Sequence, residues 1–193
     1  MRKLEGLLFQ WSKRPWLIAA WAALTFVSLL GLQLVRDQLR VRIGVPPFDL
    51  QTPLRLEQMV EQLPLYTSEA RRVYLWFVAV DTVFPVAAAV MLSLILAAAL
   101  RNFDALRQRP LNARWLVLLP LIGTVLDWLE NVWFILSIWS GPGTPWASLA
   151  VWTKGLKVAV SVGLISGGVL AFAVFVGAWW LLRNLRRGEV DGG

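Results

Sequence analysis

The sequence contains no cysteine and no histidine. Without thiols the chain can form no disulfide, no thiolate metal site and no thiol relay, which excludes four-span quinone-linked thiol oxidoreductases. Without imidazole there is no histidine-ligated haem and no serine–histidine or cysteine–histidine nucleophile pair. Charge is also scarce: 16% of residues are charged and 58% are apolar, against about a quarter charged in soluble globular proteins. Any chemistry has to come from Asp, Glu, Lys, Arg, Tyr or backbone groups.

What is present is apolar length. Four runs, at 16–35, 73–100, 115–139 and 147–182, each reach the roughly 20 residues needed to cross a bilayer core. The expected fold is all-α: an antiparallel four-helix transmembrane bundle forming one domain over residues 1–193, with a short amphipathic helix in a first outer loop at 36–72. Arg2, Lys3, Lys13 and Arg14 precede the first run, as in a signal peptide. That run, however, exceeds the roughly 7–15 residues of a cleaved apolar region, and no small-residue cleavage site follows, so it reads as a retained anchor.

Lys and Arg near span ends set orientation. The N-terminal segment, the loop carrying Arg101, Arg107, Arg109 and Arg114, and the tail carrying Arg183, Arg186 and Arg187 together hold eleven, whereas the Ser140–Ser148 loop holds none. The first outer loop has six, nearly balanced by Asp37, Asp49, Glu57, Glu61 and Glu69. Both termini are therefore expected on the cytoplasmic side of the membrane. Trp11, Trp16, Trp115, Trp179 and Trp180 then mark the inner interface, and Trp76, Trp139 and Trp146 the outer one. The net charge of +7 and pI near 10.8 reflect this topology. No basic, aromatic-interleaved soluble face exists to bind nucleic acid.

Gly44 and Pro46-Pro47 are expected to stop an extension of the first span. Thr52 then reads as an N-cap, with Pro53 at the first position of a short helix. Leu56, Met59, Val60 and Leu63 form its apolar stripe, suited to a helix on the membrane surface or one capping the bundle, as a structural cap or as a gating lid. Pro64 ends it, Thr67-Ser68-Glu69 caps the second span, and Ser140 to Pro145 forces a tight return between the third and fourth.

Polar residues at bilayer depth carry the functional signal. Asp127, Glu130 and Asn131 are spaced i, i+3, i+4, one face of a helix, and Thr124, Gly123 and Pro120 continue that face. A carboxylate at a helix centre costs roughly 2.5–3.5 kcal/mol on insertion scales, so this face has to be paired, protonated or wetted. Tyr74, Asp81 and Pro85 align on the second span, where the proline frees the Asp81 carbonyl. Thr153, Lys154 and Lys157 open the fourth. Helix lengths put Asp81, Asp127, Glu130, Asn131 and Lys157 in one layer in the outer half of the bundle, with Lys154 above it. Trp128 and Trp133 flank the trio as packing or cation–π partners.

The candidate ligand-binding set is Asp81, Asp127, Glu130, Asn131, Lys157, Lys154, Tyr74 and Thr153. The competing structural readings are a helix–helix polar clamp for the trio, snorkelling for the two lysines and a plain packing kink at Pro85. No catalytic residue, metal site or cofactor is assigned. The expected partners are the lipid bilayer and a small-molecule or cation ligand, and the oligomeric state is left open.

Phe48-Asp49-Leu50-Gln51, Arg72-x-Tyr74, Asp81-x-x-Phe84-Pro85, Asp127-Trp128-x-Glu130-Asn131 and Thr153 with its neighbouring lysines give the chain a resemblance over residues 48–157. It resembles a family of small, uncharacterised four-span bacterial integral membrane proteins. The resemblance implies four spans and carries no activity. The leading functional expectation is binding or transport of a small ligand, cation or proton through the acidic cluster. The alternatives are a non-catalytic membrane assembly or stability factor, and an intramembrane acid–base enzyme acting on a lipid or isoprenoid.

Overall fold

The computed structural model describes residues 2–107, 114–161 and 163. Five helices, α1 (Arg2–Trp11), α2 (Pro15–Ile43), α3 (Leu56–Gln62), α4 (Ser68–Arg107) and α5 (Leu119–Ser140), are joined by a sixth, α6, over 145–161. Among the described residues there is no strand. Three stretches, Pro15–Ile43, Ser68–Arg101 and Arg114–Ser140, are long and apolar enough to cross a membrane. The last begins with a 3₁₀ turn at Arg114–Leu118. Of the expected fourth span at 147–182, residues 147–161 are helical, and its remainder, apart from residue 163, lies outside the described residues. So do the tail arginines and Trp179 and Trp180.

Helix ends follow local chemistry. Pro15 starts α2 in its first turn, where the missing N–H costs nothing, and Gly44 ends it at φ +74° with its N–H on the Arg40 carbonyl. Thr67 caps α4: its Oγ1 accepts from the Ala70 N–H at 3.4 Å and its carbonyl from the Arg71 N–H at 2.9 Å. The helices extend further than the apolar runs do, so the first outer loop shrinks from the expected 36–72 to the segment between Ile43 and Ser68. The reason is that α2 and α4 pair beyond the apolar stretch, where Arg42 Nε meets Glu69 Oε1 at 3.0 Å.

Neighbouring long helices run in opposite directions. Along α2 and α4 the contacts are Arg42 with Glu69 at one end, Gly31 against Val80 midway, and Ser12, just before α2, with Arg101 at the other end. Along α4 and α5 they are Asp81 with Asn131, Thr82 with Trp128 and Pro85 with Thr124. Two apolar clusters result. Leu39, Ile43, Phe48, Met59, Tyr74, Phe77, Phe134 and Ala150 pack at the end where α4 begins. Leu8, Leu94, Ala97 and Val117 pack at the opposite end. Large apolar side chains such as Phe26, Val27, Leu34, Ile122 and Val132 stay exposed, as a lipid-facing surface requires. Trp16 and Trp115 are exposed at one end of the helices and Trp76 and Trp139 at the other.

Two expectations about the flanking elements change. The N-terminal residues read as a basic flank, yet they form α1, whose Leu4, Leu7, Leu8 and Trp11 share a face. Leu8 is buried against the Leu94 end of the bundle. The short helix of the outer loop starts at Leu56 rather than at Pro53, because the Gln58 side chain accepts from the Arg55 N–H at 3.3 Å and satisfies the helix start there. Its stripe turns as well: Met59 and Leu63 are buried, Val60 is half-buried, and Leu56 is exposed while Leu54 takes the inward position. The helix thereby caps the bundle. Gln51 and Gln62 hold it through paired side-chain amides at 2.8 and 3.3 Å.

A β-carbon on Gly31 would stand 3.2 Å from Val80 Cγ1, so α2 and α4 approach closely there. Gly31→Leu forces them apart and is expected to cost about 1–3 kcal/mol, the usual range for overpacking. Thermal unfolding in detergent checks this, with Gly6→Leu, at a position with open space around its α-carbon, as the control.

Candidate functional site

The polar layer lies between the two apolar clusters, roughly two turns beyond Tyr74 along α4. Helix α5 supplies its centre. Glu130 is 0% exposed, and two lysines from α6 reach it: Lys154 Nζ stands 3.2 Å from Oε1, and Lys157 Nζ contacts Oε2. Lys157 also stands 2.8 Å from Asp127 Oδ1. Acids three apart on α5 thus meet lysines three apart on antiparallel α6, one turn of each helix matching one turn of the other. Lys154, itself 4% exposed, also sits 5.9 Å from the centroid of the Phe134 ring, where the negative π face adds to its stabilisation.

On the other side, α5 faces α4. Asn131 donates through Nδ2 to Asp81 Oδ2 at 2.8 Å, and Asp81 also lies within electrostatic range of Asp127, Glu130 and Lys157. Thr124 Oγ1 donates to the Pro85 carbonyl at 3.0 Å, and Trp128 Nε1 donates to the Thr82 carbonyl at 3.1 Å. A proline inside a helix leaves the turn before it short of a hydrogen bond. Here α5 side chains reach the carbonyls of Thr82 and of Pro85 itself, so the turn that ends at the proline becomes an attachment point for the neighbouring helix.

Five of the sequence-predicted residues, Asp81, Asp127, Glu130, Asn131 and Lys157, come together as expected. Lys154 belongs in the same layer rather than above it, since it pairs directly with Glu130. Neither lysine snorkels; both point their ammonium groups at α5 acids. Tyr74 is buried in an aromatic column, edge-on to Tyr66 at 5.6 Å and stacked with Phe77 at 6.0 Å. Phe48 extends the column onto Tyr66 and Phe134 at 4.9 and 5.5 Å. Thr153 is half-buried and makes no hydrogen bond to the cluster among the described residues. Trp133 stacks on Trp146 at 5.7 Å.

The buried hydroxyl of Thr124 was legible only as part of a face, because its partner is a backbone carbonyl on another helix. Likewise, the exposed Trp128 carries no signal of its bond to Thr82. Among the described residues no group of three metal-ligating side chains is poised to hold a metal ion.

Fold and layer together define an all-helical protein with three helices long and apolar enough to cross a membrane and a buried ion-pair network joining α4, α5 and α6. No family model, no curated protein and no solved structure matches the chain.

Removing one partner of a buried pair leaves an uncompensated charge and costs about 3–5 kcal/mol. Lys154→Met is therefore expected to lower the melting temperature in detergent sharply, and Glu130→Gln in the Lys154→Met background to recover much of the loss. A double-mutant cycle on these two positions measures the coupling.

Proposed function

We propose that the protein is a multi-pass membrane protein, a four-span antiparallel bundle, that binds one small cation or proton in this polar layer as a step in transport. The observation that carries the reading is charge imbalance. Asp81, Asp127 and Glu130 offer three carboxylates against the two ammonium groups of Lys154 and Lys157. The lysines are committed to Glu130 and Asp127, and the hydrogen bond Asp81 receives among the described residues is from the neutral amide of Asn131, with Lys157 at longer range. One negative charge is left at bilayer depth, where an isolated charge is costly and a proton or cation neutralises it. Asp81 is half-buried, as are Asp127 and Lys157, whereas Glu130 is sealed. Ion-pair networks of this kind are a poor means of stabilising a fold, since apolar packing of equal volume does as well or better. Three acids in one apolar layer therefore support a role beyond stability.

Resemblance to the uncharacterised four-span family and the distribution of Lys and Arg support the same topology, with both termini cytoplasmic and the layer nearer the outer face. A second reading, a non-catalytic assembly or stability factor, is favoured by the complete pairing of Glu130 with two lysines. In that case the layer fixes helix register and nothing binds.

Two experiments decide. In proteoliposomes under an imposed proton or Na⁺ gradient, Asp81→Asn is expected to abolish saturable uptake while keeping the melting temperature close to wild type, because the amide retains the contact with Asn131. Uptake by the variant equal to wild type, or no wild-type uptake above empty liposomes, sinks the transport reading in favour of the structural one. For topology, the absence of native cysteine allows single-site labelling. Pro142→Cys, in the exposed turn before α6, is expected to react with an impermeant maleimide in intact cells, and Lys13→Cys only after lysis.

A further inference from the structure

A cavity of about 530 Å³ opens where α4 begins and α5 ends, away from the acidic layer, with Thr67, Ser68, Arg71, Arg72, Leu75 and Trp139 on its walls. Its size falls within the roughly 300–1,000 Å³ of small-molecule sites. The lining holds two guanidinium groups and no carboxylate. Nearby Glu69 is engaged by Arg42, and among the described residues neither Arg71 nor Arg72 has an acid within ion-pair distance. Arg71 is held in place: its Nε donates to the Tyr66 carbonyl at 2.9 Å, and its guanidinium lies 5.8 Å from the centroid of the Trp139 ring. That bond uses one edge of the fork and leaves the terminal nitrogens for a planar or tetrahedral anion. Arg72, Thr67 and Ser68 are exposed beside it, adding donors.

The other wall is apolar and exposed. Leu75 and Trp139 stay exposed, and the neighbouring Trp76 is 70% exposed. A cationic recess continuing into an exposed Leu and Trp surface at a helix end matches an amphiphile whose head is anionic and whose tail lies along a membrane-facing helix. A free phosphate ester would use the arginines and leave the apolar wall bare. We propose that this cavity binds an anionic phospholipid, its phosphate between Arg71 and Arg72 and its acyl chain along Leu75 and Trp139. This site stands independently of the acidic layer.

The test is native mass spectrometry of the full chain in detergent, titrated with phosphatidylglycerol or with phosphatidylcholine of the same acyl chains. Wild type is expected to retain phosphatidylglycerol preferentially. Arg72→Gln should weaken that binding about tenfold, the equivalent of one charge-assisted hydrogen bond, and Arg71→Gln/Arg72→Gln should weaken it further. Phosphatidylcholine binding is expected to stay unchanged in all three. Arg72 makes no bond within the described fold, so the single variant decides the matter even where the double variant unfolds. Equal retention of the two lipids by wild type, or undiminished phosphatidylglycerol binding by Arg72→Gln, overturns the site. Displacement of the lipid by millimolar glycerol 3-phosphate overturns the lipid assignment and points to a soluble phosphate ester.

Discussion

Glu130 is the constraint on which the rest of the structure depends. A carboxylate with no exposed surface in an apolar helix is tolerable only when it meets opposite charge at short range, and Lys154 and Lys157 supply that charge from α6. Because Asp127 and Glu130 are one turn apart, and so are the two lysines, the match has a single register. Sliding or turning α6 by one residue rotates each lysine about 100° away from its acid. Apolar helix faces in a membrane slide past one another at little cost, since lipid is as apolar as leucine. Charged rungs remove that freedom, and the polar layer therefore fixes the α5–α6 pair before it does anything else.

The same layer fixes α4 through weaker bonds. Asn131, Trp128 and Thr124 reach Asp81, Thr82 and Pro85 in succession, so α5 stands between an anionic neighbour on α4 and a cationic one on α6. Apolar clusters then close both ends. At one of them Phe48 and Met59 from the loop between α2 and α4 fill the space beside Tyr66, Tyr74 and Phe134. The loop is thus part of the core, and the paired amides of Gln51 and Gln62 hold it closed.

Much of this was legible in the chain itself. Three long apolar runs became helices fit to cross a membrane, Gly44 and Thr67 ended and began helices where their chemistry said they should, and the i, i+3, i+4 spacing brought the trio to one side of α5. Legibility failed where an outcome depended on a distant partner. The alignment of Tyr74 with Asp81 did not show that its ring would pack between Phe77 and Tyr66. Lys154 looked too near the end of its span to join the layer, yet a buried acid draws it in. Helix α1 was hidden because its basic residues obscured the Leu4, Leu7, Leu8 and Trp11 face.

The sequence by itself determined that this chain is helical and apolar over membrane-spanning lengths, and that a few acids must find partners at depth. Periodicity, span length and the cost of burying charge are local properties, and they act before any contact forms. Tertiary structure alone decided which partner each acid took. Asp81 received a neutral amide while Glu130 received two ammonium groups, because that choice rests on how α4, α5 and α6 are rotated about their axes. Rotation is set by packing of the whole assembly, and no window of sequence contains it.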